Sequence, residues 1–259
     1  MKYFIVADVH GFYDELMKSL DEKGFDKDNE NHTFVSLGDL MDRGRKPLDC
    51  LKFVNSLERK ILIRGNHEDL LEDLLARKQF WNHDIQNGTA DTVLDLSTVT
   101  DYSDWGARVF DDVKKNPDLR KYIDSLVDFG EVGDNIFVHG WIPCKMGNPK
   151  MSQRDEKYYF DPNWRSGNWK SARWINGMYA WNQGVKIDGK TIFCGHWHTS
   201  YGHSKFEGDG VEFPNPRSTN PEHRRANFDP FIADGICAID GAVAYTRNVN
   251  CVVLEANDE

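Results

Sequence analysis

The corner at residues 64–68 carries the first side chains that could do chemistry. It consists of Arg64-Gly65-Asn66-His67-Glu68, so an amide, an imidazole and a carboxylate follow one another where an apolar run ends. Polar groups of these types at a strand-to-helix corner form a candidate active site. Taken alone, the corner has a plainer explanation, because Gly-Asn is a common turn pair and an asparagine can simply cap the following helix.

Other apolar runs also end in acidic or imidazole side chains, which a packing role does not explain. Together with Asn66 they are Asp8, His10, Asp39, His139, His196 and His198. Carboxylate and amide oxygens mixed with imidazoles suit two divalent first-row ions, such as Mn²⁺, Fe or Zn²⁺, better than Ca²⁺ or Mg²⁺ alone. A carboxylate shared by two ions can hold them roughly 3.5–4 Å apart, the spacing that clamps an in-line displacement at phosphorus. Asp39 is the predicted bridge.

Three strand-to-helix units near the start of the chain are predicted to position the first of these groups. Apolar runs typical of strands lie at residues 3–7, 33–37 and 60–63, and helix-like patterns follow at residues 12–23, 47–57 and 66–75. Repeated units of this kind predict an α/β fold with a largely parallel sheet covered by helices. In such sheets ligands bind outside the carboxyl ends of the strands, where the polar groups of this chain are placed.

The remaining sequence is predicted to complete one domain, residues 1–259. Residues 80–127 are interpreted as a covering layer without chemistry of its own. Residues 206–232 lack periodicity and are rich in proline, asparagine and arginine, which predicts a surface loop or lid near the site. Further strands are expected at residues 126–132, 135–138, 191–194, 235–244 and 249–255, with a helix-like stretch at 169–181.

The composition excludes several classes of protein. The 259 residues carry a formal net charge of -10, which leaves no overall basic field for a nucleic acid. The first apolar run is too short for a signal peptide or a membrane span, so we expect a cytoplasmic protein without a membrane partner. The five cysteines lack C-x-x-C spacing and lie mostly in apolar runs, which predicts buried, reduced thiols.

The motifs and their order resemble the calcineurin-like metallophosphoesterases, and specifically the PPP-type serine/threonine protein phosphatases with their bacterial and phage relatives. Each motif alone is weak, but five in the family's order are specific. The resemblance implies a four-layer α/β/β/α sandwich with a dinuclear metal site at the carboxyl ends of the strands. The matching segments are Ala7-Asp8-Val9-His10-Gly11, residues 38–44, residues 64–68, His139-Gly140 and Gly195-His196.

The resemblance also implies two divalent metal ions, with Mn²⁺ expected and Fe or Zn²⁺ as alternatives. A water bridging them would lose its proton near neutral pH and attack phosphorus in line. His198 has a plainer alternative as an exposed loop residue, because the protein-phosphatase branch often has only the first histidine of this motif. The implied ligands are Asp8, His10, Asp39 and His198 for one ion and Asp39, Asn66, His139 and His196 for the other.

Four more side chains are assigned to the substrate. His67 is predicted to protonate the leaving oxygen as the general acid, and Asp42 to orient and support its imidazolium. Arg43 and Arg64 are predicted to bind phosphate oxygens through charge-assisted hydrogen bonds. Either arginine could instead be an ordinary salt-bridge partner.

The resemblance fails at one phosphate-binding arginine. Phage and bacterial relatives carry Trp-Asn-Arg before the late strand, whereas this chain has Gln183 after Trp181-Asn182. The candidates to replace the missing guanidinium are Arg173, Arg165, Arg154 and the arginines of the 206–232 segment, and the sequence does not choose between them.

The predicted activity is hydrolysis of phosphomonoesters, with a phosphoserine or phosphothreonine protein or a small phosphoester as substrate. A symmetrical diadenosine tetraphosphate hydrolase, from a sister branch with similar motifs, is the alternative, although Asp42 and Glu68 favour the phosphatase side. A third hypothesis is a scaffold on the same fold that only binds partners. Such a protein should have lost metal ligands, and none is missing from this sequence. The sequence predicts no oligomeric state.

Overall fold

Two β-sheets form the centre of the molecule, as described by a computed structural model for residues 1–100, 105–147 and 157–256. One sheet has the strand order β11-β1-β2-β3, the other has the order β4-β5-β8-β10-β9, and β6 pairs with β7 in a separate hairpin. The strands are β1 Lys2–Val6, β2 His32–Ser36, β3 Lys60–Leu62, β4 Gly130–Val132, β5 Asn135–Phe137, β6 Cys144–Met146, β7 Tyr158–Phe160, β8 Thr191–Cys194, β9 Phe231–Ala233, β10 Ile236–Ala238 and β11 Cys251–Glu255.

Parallel pairing aligns the strand ends that carry the chemistry. β1 pairs in parallel with β2, and β2 with β3. In the second sheet β8 pairs in parallel with both β5 and β10. Parallel strands finish at the same edge of a sheet, so the polar residues that follow β1, β2 and β3 share one edge and those that follow β5 and β8 share another. The two edges meet at one crevice, where Oδ1 of Asp39 is 3.4 Å from Nε2 of His139.

Helices cover the outer face of each sheet, which completes the four-layer α/β/β/α sandwich and confirms the predicted fold. They are α1 Tyr13–Glu22, α2 Pro47–Ser56, α3 Asn66–Arg77, α4 Asn82–Asn87, α5 Thr89–Leu96, α6 Trp105–Lys115, α7 Pro117–Asp124, α8 Trp169–Ala172, α9 Gly177–Asn182, α10 Ser200–Gly202 and α11 Val243–Thr246. Helices α1 to α3 and α5 to α7 contribute to the core outside the first sheet, and α8 and α9 to the core outside the second.

Alternation along the strands explains how both faces of a sheet are buried. In β1, Tyr3 and Ile5 belong to the core between the two sheets, whereas Phe4 and Val6 pack under the helices. The strand is therefore apolar throughout, as expected for one that is covered on both sides. Burying each such side chain contributes about 1.5–3 kcal/mol. The cores on the two faces of β1 therefore both stabilise the strand whose end carries the first site residues.

The helices of the first sheet follow from helical spacing and capping. Leu16 and Leu20 lie one turn apart on α1 and are both buried. Pro47 begins α2 at the first helical position, where a missing N–H costs no hydrogen bond. At the start of α3, the Glu68 side chain accepts from the backbone N–H of Gly65 at 2.8 Å, which is half of a capping box.

Three predicted element boundaries were wrong. The strand expected at residues 126–132 is limited to Gly130–Val132, because Leu126 still hydrogen bonds to the last turn of α7. The helix expected at 169–181 is broken, because the Asn176 side chain caps a new helix by accepting from Tyr179 N–H at 3.1 Å. The strand expected at 235–244 ends at Ala238, and Ala242 turns the chain with a φ of 51°.

All five cysteines are free, and four of them are buried, as their position in apolar runs predicted. No helix within the described parts of the chain is long and apolar enough to cross a bilayer.

Candidate metal centre and active site

The backbone is strained where the strands end. Asp8, His10, Asp39 and His196 have φ values between 50° and 66°, in a left-handed region that residues with a side chain rarely adopt. Each such residue costs about 1–2 kcal/mol. Strain of this kind concentrates at functional sites, where the surrounding structure enforces it. The crevice between the two sheets is therefore the candidate site.

Asp39 lies at the centre of the crevice. Its Oδ2 atom is 3.8 Å from the Nε2 atoms of both His10 and His67, and its Oδ1 atom is 3.4 Å from Nε2 of His139. Two groups of side chains could each hold a metal ion, because the possible ligand atoms within each group lie within 4.8 Å of one another. One group is formed by His10, Asp39 and His67, and the other by Asp39, His139 and His196. Asp39 belongs to both groups, as a shared ligand would.

Hydrogen bonds behind the imidazoles leave lone pairs facing the crevice. His10 Nδ1 donates to the Met41 carbonyl at 2.9 Å, and His139 Nδ1 donates to the Leu37 carbonyl at 2.7 Å. With Nδ1 protonated, Nε2 of each neutral ring is an acceptor, the arrangement of histidines that bind metals. His139 Nε2 faces Asn66 Oδ1 at 2.7 Å. Two acceptors that face each other are satisfied by a cation, so the donor set fits a divalent metal.

Charges and burial in the crevice agree with this donor set. Burial lowers the pKa of His196 to about 3, and burial followed by the charge of Arg43 holds the pKa of His10 well below its usual range. Burial would raise the pKa of Asp39, but the imidazoles, His139 first, outweigh it and hold that pKa well below the usual range. Neutral rings at His10 and His196 beside an ionised Asp39 are the protonation states that metal binding requires.

Asp8 enters the site from the end of β1. Its Oδ2 atom accepts a hydrogen bond from His196 N–H at 2.8 Å. A Cβ at position 195 would overlap this Oδ2 atom, so the close approach requires Gly195. Burial, and then the charge of Asp240, raise the pKa of Asp8 well above its usual value. A bound cation would relieve this repulsion between neighbouring carboxylates.

His67 and Asp42 form an imidazole–carboxylate pair beside the metal groups. His67 Nδ1 is 2.5 Å from Asp42 Oδ2. Burial lowers the pKa of His67, but Asp39 and Asp42 more than compensate, so this pKa is raised. The hydroxyl groups of Thr89 and Thr92 each donate to Asp42 at 2.7 Å. Asp42 is thus fixed by two hydroxyl groups, and it holds the His67 ring with Nε2 toward the crevice.

The two predicted phosphate-binding arginines have different surroundings. Arg43 places its guanidinium in the crevice, donating to His10 Nε2 at 2.6 Å and to His67 Nε2 at 3.1 Å. Arg64 instead pairs with Glu72, and its Nη1 atom is 3.5 Å from Asp69 Oδ1. The structure therefore brings Arg43 to the metal groups and places Arg64 among carboxylates of α3.

The candidates for the missing arginine are engaged elsewhere in the described chain. Arg173 pairs with Asp69 and Asp128, and Arg165 pairs with Glu131. Position 154 lies outside the described residues. Gln183 follows the last residue of α9, and its Oε1 atom accepts from Tyr158 N–H at 2.7 Å. This neutral amide is engaged with the backbone and does not replace the missing guanidinium.

His198 lies outside both metal groups but lines the same crevice as His10 and His196. Its Nδ1 atom is 2.7 Å from Ser200 Oγ, which itself donates to the Glu212 carbonyl. Because the Ser200 proton is used there, His198 Nδ1 is the donor and Nε2 carries the lone pair. Nε2 is buried and has no hydrogen-bond partner in the part of the chain that is described, which leaves it free for a ligand.

Sequence reasoning missed three side chains of the 80–127 layer, which was interpreted as lacking chemistry. Thr89 and Thr92 hold Asp42, as described above. Tyr122 donates its hydroxyl to Glu68 Oε1 at 2.9 Å. Two threonines three residues apart share one face of a helix, and this spacing was the available signal for the pair. Tyr122 gave none.

Glu68 joins the two strand ends that carry the metal groups. Its oxygens accept from the backbone N–H groups of Asp39 and Leu40, both at 3.0 Å, and of Gly65 at 2.8 Å, in addition to Tyr122. The side chain is fully buried. Both oxygens face donors, so a carboxylate, and not an amide, fits this position.

We expect Glu68→Gln to lower the free energy of unfolding by about 2–4 kcal/mol, because its NH₂ group would face an N–H donor in a buried site. Urea denaturation would measure the change. Glu58→Gln, at an exposed position, is the matched control and is expected to change stability by less than about 0.5 kcal/mol. Equal stability of the two variants would contradict the bracing role of Glu68.

Known proteins share both sequence and fold with this chain. Serine/threonine-protein phosphatase 1 of Salmonella typhimurium is 40% identical over 76 residues, which cover 29% of this chain and 34% of that protein. A symmetrical bis(5'-nucleosyl)-tetraphosphatase of Actinobacillus succinogenes is 41% identical over 69 residues, 26% of this chain and 24% of that protein. The chain thus matches about a third or less of the length of these relatives.

The fold itself recurs in a cold-active protein-tyrosine phosphatase of a Shewanella species, with a TM-score of 0.52, 15% identity, and coverage of 98% of this chain and 75% of that one. A family model described as calcineurin-like phosphoesterase matches residues 1–217. This match extends over most of the chain and includes every residue of the metal groups. The chain therefore belongs to the calcineurin-like phosphoesterase family.

Proposed function

We propose that this chain is a metal-dependent phosphatase that hydrolyses phosphomonoesters. The observation that carries the proposal is Asp39, a buried carboxylate shared by two groups of histidines, with the guanidinium of Arg43 beside them. A shared carboxylate can place two ions at the separation needed for an in-line displacement at phosphorus. The guanidinium has the fork shape that matches phosphate oxygens.

The residues proposed to hold the metals follow from their available lone pairs. Divalent ions bound there would act as Lewis acids on water and on the phosphoryl oxygens. The unpartnered Nε2 atom of His198 supports its inclusion as a ligand. Mn²⁺ is our first choice of metal, with Fe or Zn²⁺ as alternatives. The proposed sets are Asp8, His10, Asp39 and His198 for one ion and Asp39, Asn66, His139 and His196 for the other.

We assign proton transfer to His67 and substrate binding to the arginines. His67 Nε2 would give its proton to the leaving oxygen, while Asp42 keeps the ring oriented and stabilises its charged form. When His10 Nε2 binds a cation and His67 Nε2 serves the leaving group, both present partners of Arg43 are engaged. Its fork is then available to the phosphoryl oxygens. Arg64, which lies partly exposed in the turn before α3, is proposed as a second contact that must first release Glu72.

The physiological substrate is proposed to be a phosphorylated protein of the phosphoserine or phosphothreonine type, as the name of the Salmonella relative suggests. The second candidate is a dinucleoside tetraphosphate, which is supported by the name of the Actinobacillus relative. The scaffold hypothesis has less support, because Asp39 and both histidine groups are in place.

A panel of substrates tests the proposed function. With Mn²⁺ present, we expect turnover of a chromogenic aryl phosphate and of phosphorylated peptides, followed as phosphate release. Diadenosine tetraphosphate is run beside them. Turnover of the dinucleotide alone would favour the second candidate, and no turnover with any divalent metal would favour the scaffold.

A further inference from the structure

A single cavity of about 280 Å³ connects the candidate catalytic groups with an apolar wall. Its lining includes His10, Arg43 and His196, the apolar or aromatic side chains of Phe213, Val243 and Tyr245, and the carboxylate of Asp240. A phosphoryl group held by Arg43 would therefore share the cavity with apolar surface that its leaving group could contact. The cavity is at the small end of the range of ligand pockets, about 300–1,000 Å³, so it has room for a phosphoryl group with one ring.

Two large rings on this wall are open to solvent. Phe213 is 68% exposed and Tyr245 is 59% exposed. Exposed aromatic side chains that border a polar pocket mark a binding surface, because folding alone gains little from them. Neither ring is needed to close the core, since neither belongs to the buried clusters.

Contacts behind the rings hold them in position. The Phe213 ring lies 4.8 Å from the ring of His198, and the carbonyl of the preceding residue, Glu212, accepts from Ser200 Oγ at 2.8 Å. The Tyr245 ring lies 5.7 Å from the ring of Phe228. Rigid rings lose little conformational entropy on binding, so contact with them is gained at low cost.

The charges around the cavity select the kind of leaving group. Arg43 is the arginine among its described lining residues. Two arginines of the neighbouring segment are engaged outside the cavity, Arg224 with the Ser218 carbonyl and Arg225 with Asp209, and Arg217 is not among the residues that line it. Beyond Arg43 and the metal ions proposed at the histidines, a chain of further phosphates would therefore have no cationic partner among the described residues that line the cavity. A neutral ring attached to the reacting phosphate suits it better.

We propose that Phe213 and Tyr245 form a subsite for the aromatic leaving group of an aryl phosphomonoester, such as a phosphotyrosine side chain. This inference rests on the proposed phosphatase function and names a preferred substrate class for the same site. In the reaction, the oxygen of water forms a bond to phosphorus as the bond between phosphorus and the aryl oxygen breaks. The aryl oxygen then takes a proton and leaves as a phenol.

The experiment compares the wild type with the variant Phe213→Ala/Tyr245→Ala in both turnover and binding. The variant is expected to lose about 10-fold in kcat/KM for phenyl phosphate and a phosphotyrosine peptide, because ring contacts contribute about 1–1.5 kcal/mol. Its kcat/KM for a phosphoserine peptide is expected to stay within about twofold. Ile85→Ala removes a large exposed side chain outside the cavity and should leave kcat/KM unchanged for both kinds of substrate.

Calorimetry with phenylphosphonate and methylphosphonate separates this inference from the proposed function. The wild type should bind phenylphosphonate about 10-fold more tightly than methylphosphonate, and the double variant should bind the two ligands equally well. If the wild type discriminates but hydrolyses no phosphoester, the subsite stands and the phosphatase function fails. If the wild type turns over phosphoesters without discriminating, the subsite is overturned. If the double variant loses kcat/KM only for diadenosine tetraphosphate, the aryl subsite is overturned, and the two rings instead bind a nucleobase.

Discussion

Replacing Asp39 with asparagine is expected to abolish turnover of every phosphoester, with a loss of at least about 10³-fold in kcat, and to reduce the amount of bound metal. The carboxylate is the ligand common to both histidine groups, and an amide offers a neutral oxygen in its place. Several kcal/mol of transition-state stabilisation depend on the ions, and each 1.36 kcal/mol is tenfold in rate. Metal content by atomic emission and phosphate release measure the two effects.

The fold is expected to survive this substitution. His67 N–H donates to Asp39 Oδ1 at 2.9 Å, and an asparagine Oδ1 can accept the same bond. Asp49→Asn, at an exposed position on α2, is the matched control and should keep both activity and metal content. Two bound ions together with unchanged turnover in Asp39→Asn would show that the shared carboxylate has no part in the chemistry.

The elements that carry the site were predictable because their signals are local. β1 alternates between two cores, and α2 begins at a proline, so their ends were predicted to within about one residue. The convergence of Asp8 and Asp39 was also predictable, because the parallel strands β1 and β2 deliver their carboxyl ends to one edge of the same sheet. The two faces of the crevice come from different sheets, and the family resemblance, rather than periodicity, supplied that arrangement.

The contacts that support the site residues from the covering helices could not be predicted, and the reason is physical. Thr89 meets Asp42 across 47 residues of chain, and Tyr122 meets Glu68 across 54. Nothing in the local pattern distinguishes these side chains from others of a covering helix, because their partners are set by tertiary packing. The same is true of Arg173, whose partner Asp69 lies 104 residues away in the chain.

The polar network that supports the site also limits how it can vary. Glu68 and Asp42 are both buried, and each accepts bonds from elements distant in sequence. A half-satisfied buried network is costly, so a change in one member is felt at the others. The strained φ values of Asp8, Asp39 and His196 persist for the same reason, because neighbouring bonds over-determine the backbone.

The substitution His67→Asn is expected to keep the metal content and to reduce turnover selectively. A phosphoserine peptide has a poor leaving group that needs a proton as its bond to phosphorus breaks, so its kcat should fall by about 10²–10⁴-fold. A chromogenic nitrophenyl phosphate has an activated leaving group that departs without a proton, and its kcat should fall by less than about tenfold. Steady-state rates with the two substrates, at equal metal loading, measure the difference.

The selectivity arises from the position of the His67 ring. Its Nδ1 atom is occupied by Asp42 at 2.5 Å, so Nε2 is the atom from which a proton can be transferred. His83→Asn, at a partly exposed position on α4 outside the metal groups, is the matched control and should leave both rates unchanged. An equal loss for the two substrates would assign His67 to metal or substrate positioning and remove it from proton transfer. Loss of bound metal in His67→Asn would instead make it a ligand, since it lies with His10 and Asp39 in one of the metal groups.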